Sequence, residues 1–447
     1  MAGMASVNQI SIVSKCEEKP YRQLVEQHGS PLLVLDCAVL RQSYRDLKLA
    51  LPNIDLYYAI KSLPDKTTLS TLAREGAGFD VATSGELDLL RSIDANPAAT
   101  IHTHPIKHDR DISAALQFGC TTFVVDNIDE LRKFSNRHSP LEILVRVSFR
   151  SKDASCDLSR KFGCALKDVP YLLTEAAKLG IAVKGLSFHV GSQSMSSDAH
   201  VEAINACRTF FANTSIAGTA RLEVLDIGGG FPVDYARRGF DLNAFCKPIN
   251  AALADYPRHV RIIAEPGRVL SAPAMISIST VVGRAKRDGL FWYYLDDGVY
   301  GAYSGQIYDH VRYPLTIFSD DPSSVHAGVL AGPSCDSIDV ITEGAALPPM
   351  NIGDIVVGEK MGAYTLATAG EFNSIPKPKV VAVNHEEGSV GNVHYFFDFT
   401  PTREIQSEGS ILAPVMITPS RRPENKSGCL RTAAMATAEE GSINMRR

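Results

Sequence analysis

Five short segments carry residue types that suit one kind of chemistry. Lys61 follows Tyr57-Tyr58-Ala59-Ile60. A lysine at the end of a buried apolar run is unusual, because burial lowers an amine pKa and frees a neutral nucleophile for Schiff-base chemistry. A lysine that simply emerges into solvent is the plainer reading of that residue alone. Asp80 closes Gly78-Phe79-Asp80, and Glu86 follows it. His189-Val190-Gly191-Ser192 offers an imidazole and a hydroxyl. Leu225-Asp226-Ile227-Gly228-Gly229-Gly230-Phe231-Pro232 contains a glycine triplet. Such a triplet lets backbone N–H groups approach an anion such as phosphate, although a tight turn uses the same residues. Glu265-Pro266-Gly267-Arg268 sets a carboxylate near a guanidinium that suits phosphate oxygens, and a structural ion pair has the same spacing. Together these supply an amine, an anion cradle, an arginine, an imidazole and a carboxylate able to keep a pyridine nitrogen protonated. Pyridoxal phosphate needs that set.

These residues fall where apolar runs end. Strand-like runs occur at 54–61, 79–83, 100–105, 121–126, 142–149, 183–190, 222–229 and 260–267. Amphipathic stretches such as 66–74, 85–93 and 169–179 lie between them. Alternating strands and helices imply a parallel sheet. Eight such units match a (β/α)8 barrel, whose active sites sit at the carboxyl ends of the strands. An open, doubly wound sheet is the competing topology. From about Ser271 strand-like runs follow one another (275–282, 291–295, 325–330, 354–359, 379–383), which reads as an all-β domain. The run 7–14 could join it. The expected organisation is a barrel over 20–270, a β-domain over 271–399 joined by residues 1–19, and a disordered tail over 400–447, where no aromatic residue occurs.

The composition excludes several classes. The chain has 447 residues, 45% apolar and 21% charged, as globular chains do. Lys and Arg number 45 against 50 Asp and Glu, for a net charge of −5, which argues against a nucleic-acid partner. No apolar run reaches about 18 residues, so no membrane-spanning helix is expected. The N-terminal residues lack the basic-then-apolar shape of a signal peptide. Nine scattered cysteines form no CxxC pair, which reads as reduced thiols in a cytoplasmic protein.

Taken in order, the motifs resemble the fold type III pyridoxal phosphate enzymes, and among them the eukaryotic-type ornithine decarboxylase family. The segments already quoted are joined by Tyr58-Ala59-Ile60-Lys61, Arg146, Lys161-Phe162-Gly163, Asp297-Gly298-Val299-Tyr300-Gly301, Tyr308-Asp309-His310, Gly332-Pro333-Ser334-Cys335-Asp336 and Met361-Gly362-Ala363-Tyr364-Thr365. The match covers about residues 20–385. The resemblance implies an alanine-racemase-like barrel with a C-terminal β-domain and pyridoxal 5'-phosphate as cofactor. It implies that Lys61 links to the cofactor and that His189 stacks on its ring. Glu265 would pair with the ring nitrogen, and Asp80 would lie near Lys61. Ser192, Gly230, Arg268 and Tyr364 would hold the phosphate, with Arg146, Gly229 and Gly267 completing the set. It also implies a homodimer with shared sites, in which the partner's Cys335 protonates the substrate carbon. Asp336 and Asp309, beside Tyr308, would hold the substrate's distal ammonium. A thiol is a suitable acid near neutral pH, and paired carboxylates suit a cationic end.

The expected reaction is therefore decarboxylation of a basic amino acid, L-ornithine to putrescine first, with no metal required. Lysine differs by one methylene, worth only about 1–3 kcal/mol of discrimination. Ser62-Leu63 stand where the family has Cys-Asn, Ala331 replaces an aromatic residue, and Glu371-Phe372-Asn373-Ser374 replaces Thr-Phe-Asn-Gly. These departures keep lysine and a modified diamino acid of a specialised pathway open as substrates. A metal-dependent hydrolase using His102-Thr103-His104 and a non-catalytic protein resembling antizyme inhibitors are the rival readings.

Overall fold

The computed structural model describes residues 8–135, 137, 141–150, 159–212 and 221–385, all within one unit, Met1–Asp398; the expected tail lies outside the described residues. Strand β1 (Ile10–Ser14), helix α1 (Lys19–His28) and strand β2 (Leu32–Asp36) come first. Helix α2 (Cys37–Ala50) leads into β3 (Ile54–Ala59), α3 (Lys66–Arg74), β4 (Gly78–Val81), α4 (Ser84–Arg91) and β5 (Thr100–His102). The alternation continues through α5 (Asp109–Phe118), β6 (Thr122–Val125), α6 (Ile128–Arg132), β7 (Glu142–Val147), α7 (Val169–Lys178) and β8 (Val183–Phe188). It ends with α8 (Asp198–Ala212), β9 (Val224–Asp226), α9 (Leu242–Leu253) and β10 (Arg261–Ala264). Strands β3 to β10 close into a barrel of parallel strands, with β10 bonded to both β9 and β3. The open sheet is thereby excluded.

Short caps make the loops between strand and helix tight. Asp65 accepts from the Thr68 N–H at 2.9 Å, and Asn127 from the Glu130 N–H at 3.0 Å, each satisfying a helix end that would otherwise lack a partner. Tyr57, Ile101, Val124, Leu144, Val224 and Ile263 form one buried cluster contributed by six of the barrel strands. The observed strands end one to three residues earlier than their apolar runs, because the last residues leave the ladder to form the rim.

The remaining strands are β11 (Met275–Arg287), β12 (Leu290–Leu295), β13 (Leu315–Ser319), β14 (His326–Ala331), β15 (Val340–Leu347), β16 (Ile355–Gly358) and β17 (Lys379–Val383). They form a mixed sheet in the order β1-β13-β16-β11-β12-β14-β15. Strand β1 joins it, as the run 7–14 suggested. So does β2, which pairs with β11 and β17 although it lies inside the segment expected in the barrel. All five of its residues are buried, so it has no alternation to distinguish it from a barrel strand. Strands β13 and β15 were not legible either; in β15 an exposed Glu343 and a Gly344 at φ +70° break the pattern.

His102 on β5 is fully buried and stacks on Phe123 with ring centroids 5.7 Å apart. Neither ring nitrogen has a partner among the described residues. Burial, followed by the Lys107 charge, pushes its pKa down to about 4. The unfolded chain therefore binds a proton near pH 6.5 that the folded chain refuses, and stability is lost as pH falls from about 6.5 towards 4. His102→Phe removes this penalty. Its stabilising effect, measured by chemical denaturation, is expected to be about 2 kcal/mol larger at pH 5 than at pH 7.5. An equal effect at both pH values would contradict this account.

Candidate active site

The rim at the carboxyl ends of the strands surrounds a cavity of about 280 Å³. Its walls include Lys61, Thr103, Arg146, His189, Glu265 and Arg268 from the barrel, and Asp309 and Tyr364 from the segments around the mixed sheet. Ser192, Gly229, Gly230 and Gly267 line it too.

Lys61 lies in a helical turn, Ile60–Ser62, just beyond β3. Two backbone bonds fasten that turn: Ala59 N–H to Pro266 O at 3.1 Å, and Tyr364 N–H to Ser62 O at 2.9 Å. The Ser62 hydroxyl donates to Tyr58 Oη at 2.9 Å and receives from Ser271 at 3.3 Å. Leu63 is fully buried, so the amide typical of the family gives way to packing. Lys61 Nζ donates to Asp80 Oδ2 at 2.7 Å. Burial alone would lower the amine pKa, but the carboxylates of Asp80 and Glu265 outweigh it and hold the ammonium above its ordinary value. This corrects the expectation of a neutral amine: the sequence showed the apolar strand but not how close the acids stand.

The polar line continues from there. Thr103 Oγ1 is 2.5 Å from Asp80 Oδ1 and 3.4 Å from Glu265 Oε2. Glu265 is buried and hydrogen-bonded to Asp226. Burial and the Asp226 charge push the Glu265 carboxyl well up, and burial pushes Asp226 up as well, so the pair retains a proton. Asp226 is further held by Ser187 Oγ at 3.1 Å and Gly228 N–H at 2.8 Å. His189 Nδ1 accepts from Gly191 N–H at 3.0 Å, and burial and Arg146 keep its ring neutral.

The opposite end is built for an anion. Arg268 is buried and donates to Ser192 Oγ at 3.0 Å, Tyr235 Oη at 3.3 Å and Asp309 Oδ2 at 2.5 Å. Its guanidinium lies over the Tyr364 ring, while its Nε has no partner among the described residues. The backbone N–H groups of Gly229 and Gly230 likewise have no acceptor there. A Cβ on Gly230, at φ +101°, would stand 2.4 Å from Gly191 O, so only glycine fits. Unsatisfied donors at one end, and a proton-holding carboxyl with a lysine at the other, fit a phosphorylated pyridine aldehyde.

The structure does not bring every expected residue to this cavity. Cys335 is exposed, its N–H donating to Asn373 Oδ1 at 3.1 Å, and neither it nor Asp336 lines the cavity. Asp336 accepts from Tyr300 Oη at 2.5 Å, which lowers its pKa. Tyr308 is also exposed and outside the lining, and Asp309 faces Arg268. His104 lines the cavity but His102 does not, so the His-Thr-His motif does not converge on one point. No cluster able to hold a metal occurs among the described residues. Asp226 and Thr103 were missed as site residues. Asp226 was visible as a carboxylate within an apolar strand, and Thr103 lay inside the motif read as metal ligands.

Residues 37–272 match the family model described as "Pyridoxal-dependent decarboxylase, pyridoxal binding domain". The lysine/ornithine decarboxylase of Selenomonas ruminantium is 34% identical over 360 residues, covering 80% of this chain and 91% of that protein. A crystal structure of lysine/ornithine decarboxylase from Vibrio vulnificus with putrescine is 47% identical, with a TM-score of 0.79, and the match covers 84% of this chain and all of that one. Antizyme inhibitor 2 of Xenopus laevis is 35% identical over 361 residues, covering 76% of this chain and 78% of that protein.

Asp80 supplies the larger attraction on the Lys61 ammonium. Asp80→Asn is therefore expected to lower the lysine pKa, so that reaction with the aldehyde of pyridoxal phosphate starts at lower pH than in the wild type. Absorbance followed against pH checks this, and an onset that is unchanged or moved upwards contradicts it.

Proposed function

This chain belongs to the pyridoxal-dependent decarboxylases, and within that family we propose that it decarboxylates L-ornithine to putrescine, with L-lysine as a second substrate. The observation that carries this reading is the polar line Lys61–Asp80–Thr103–Glu265–Asp226, facing an arginine and glycine cradle across one cavity. The Vibrio vulnificus relative, solved with putrescine and also with cadaverine, supports the two-substrate range.

Bound pyridoxal phosphate supplies an electron sink for the pair left when the carboxylate departs. Lys61 Nζ is the nucleophile, and Asp80 Oδ2 holds it in place as an ammonium at 2.7 Å until it reacts. Glu265, hydrogen-bonded to Asp226, would keep the ring nitrogen protonated. His189, a neutral imidazole lining the cavity, would pack against the ring. Arg146 lines the same cavity and presents a cation to the bound molecule. Ser192, Gly229, Gly230, Gly267, Arg268 and Tyr364, which line the cavity, would hold the phosphate. Asp309, now bonded to Arg268, would accept the distal ammonium, with Tyr308 next to it in the chain.

The proton for the substrate's α-carbon comes in this reading from Cys335 of a second copy of the chain. The support is that Cys335 is an exposed thiol, set on a loop held by Asn373 and outside its own chain's cavity. Asp336 on the same loop contributes a carboxylate to that site. The seven described cysteines are free thiols, which suits a reducing, cytoplasmic compartment. No helix among the described residues is long and apolar enough to cross a membrane.

Purified protein with added cofactor is expected to release CO2 from both L-ornithine and L-lysine. Release from neither, with cofactor bound, would indicate a modified diamino acid instead. In the same assay Lys61→Ala and Cys335→Ala are each expected to lose most activity. Mixed and re-equilibrated, the two variants are expected to regain roughly a quarter of the wild-type rate, because half the dimers are mixed and each of these holds one intact site. No recovery on mixing would overturn the shared site.

A further inference from the structure

The glycine triplet is held by its carbonyls. Gly228 O accepts from the Glu265 N–H at 2.8 Å, and Gly230 O from the Ser194 N–H at 3.0 Å. The middle one, Gly229 O, has a side-chain partner: His200 Nε2, at 3.1 Å. His200 lies in the first turn of α8, behind the triplet and outside the cavity lining. It is fully buried, between Phe231 at 5.2 Å and Phe245 at 6.0 Å. A carbonyl can only accept, so Nε2 carries the hydrogen; Nδ1 has no partner among the described residues. The sequence reading passed over this residue.

We infer that His200 is a positioning residue for the phosphate site: it sets the plane of the Gly229–Gly230 peptide so that the Gly230 N–H faces the cavity. In a trans peptide the N–H of one residue points opposite to the C=O of the residue before it. Drawing Gly229 O back towards α8 therefore turns the Gly230 N–H the other way, and it has no acceptor among the described residues. With both φ angles of its neighbours at positive values (Gly228 +65°, Gly230 +101°), the triplet has little side-chain hindrance to stop that peptide from flipping. The backbone anchors at Gly228 and Gly230 cannot be removed by mutation, whereas the His200 anchor can.

The test compares pyridoxal phosphate with pyridoxal, which lacks the phosphate, binding to cofactor-stripped full-length protein. His200→Phe keeps the aromatic packing and deletes the donor. It is expected to bind pyridoxal phosphate about tenfold more weakly, the usual effect of leaving one buried carbonyl unpaired, with pyridoxal affinity unchanged. His200→Gln, whose amide can replace Nε2–H, is expected to restore most of the loss. Equal weakening of both ligands would mean a purely structural role and would overturn the proposal, as would no weakening at all. In the unmodified protein, the His200 ring N–H resonance is expected to shift on titration with pyridoxal phosphate and not with pyridoxal. Identical responses to the two would sink the idea whether or not either variant folds. Because only cofactor binding is read, the outcome is separate from which amino acid the enzyme decarboxylates.

Discussion

The seam between β3 and β10 is the contact on which the chemistry depends. Pairing Ile54, Asp55 and Leu56 with Ile262, Ile263 and Ala264 closes the sheet. The next bond along the seam, Ala59 N–H to Pro266 O, fastens the Lys61 turn to the Glu265–Arg268 loop. In an open sheet these strands would be opposite edges, and lysine and glutamate would stand far apart. Closure makes them neighbours and sets Asp80 beside both. It also makes the site rigid, since each functional loop leaves a strand that is bonded on both sides.

Closure produces an uneven charge distribution. Near the lysine stand Asp80, Glu265 and Asp226, all buried, facing one ammonium. Three carboxylates cannot all remain ionised there, and the Glu265–Asp226 pair resolves the conflict by keeping a proton. At the other end Arg268 is offset by a single carboxylate, Asp309. One end therefore stores a proton and the other holds an exchangeable cation. A dianionic phosphate and a protonated ring nitrogen have complementary needs, so a molecule carrying both has one favourable orientation in the cavity.

Much of this was legible in the sequence, for a physical reason. Barrel strands buried on both faces read as unbroken apolar runs, and their rim residues as polar interruptions, so all eight strands could be found, with Lys61, His189, Glu265 and Arg268 placed at or just beyond their ends. Pairing partners could not. Strand β2 reads like a barrel strand, yet it bonds to β11 and β17, a choice made by long-range contacts and not by its own pattern. The Lys61 pKa was misjudged for the same reason: its direction depends on a carboxylate 2.7 Å away in space, which an isolated strand end does not reveal. Asp226 and His200 act through other residues, and such roles leave no local signature.

The proposed substrate range rests on what the cavity lacks. Among the described residues of one chain, the only acid facing the anion cradle from the mixed-sheet side is Asp309, already engaged with Arg268. The second carboxylate of the proposed ammonium site, Asp336, sits on a surface loop ordered by Tyr300 and Asn373. In the proposed shared site, the distance between the two carboxylates would be set by how two copies pack, not by either fold alone. Ornithine and lysine differ by one methylene, a group worth only roughly 1–3 kcal/mol of discrimination. Ala331, buried at the end of β14 where the family has an aromatic ring, and Leu63, buried beneath the lysine turn, change what surrounds that loop and the cofactor without adding a charge. Neither change sets a charge against the proposed breadth between the two diamino acids.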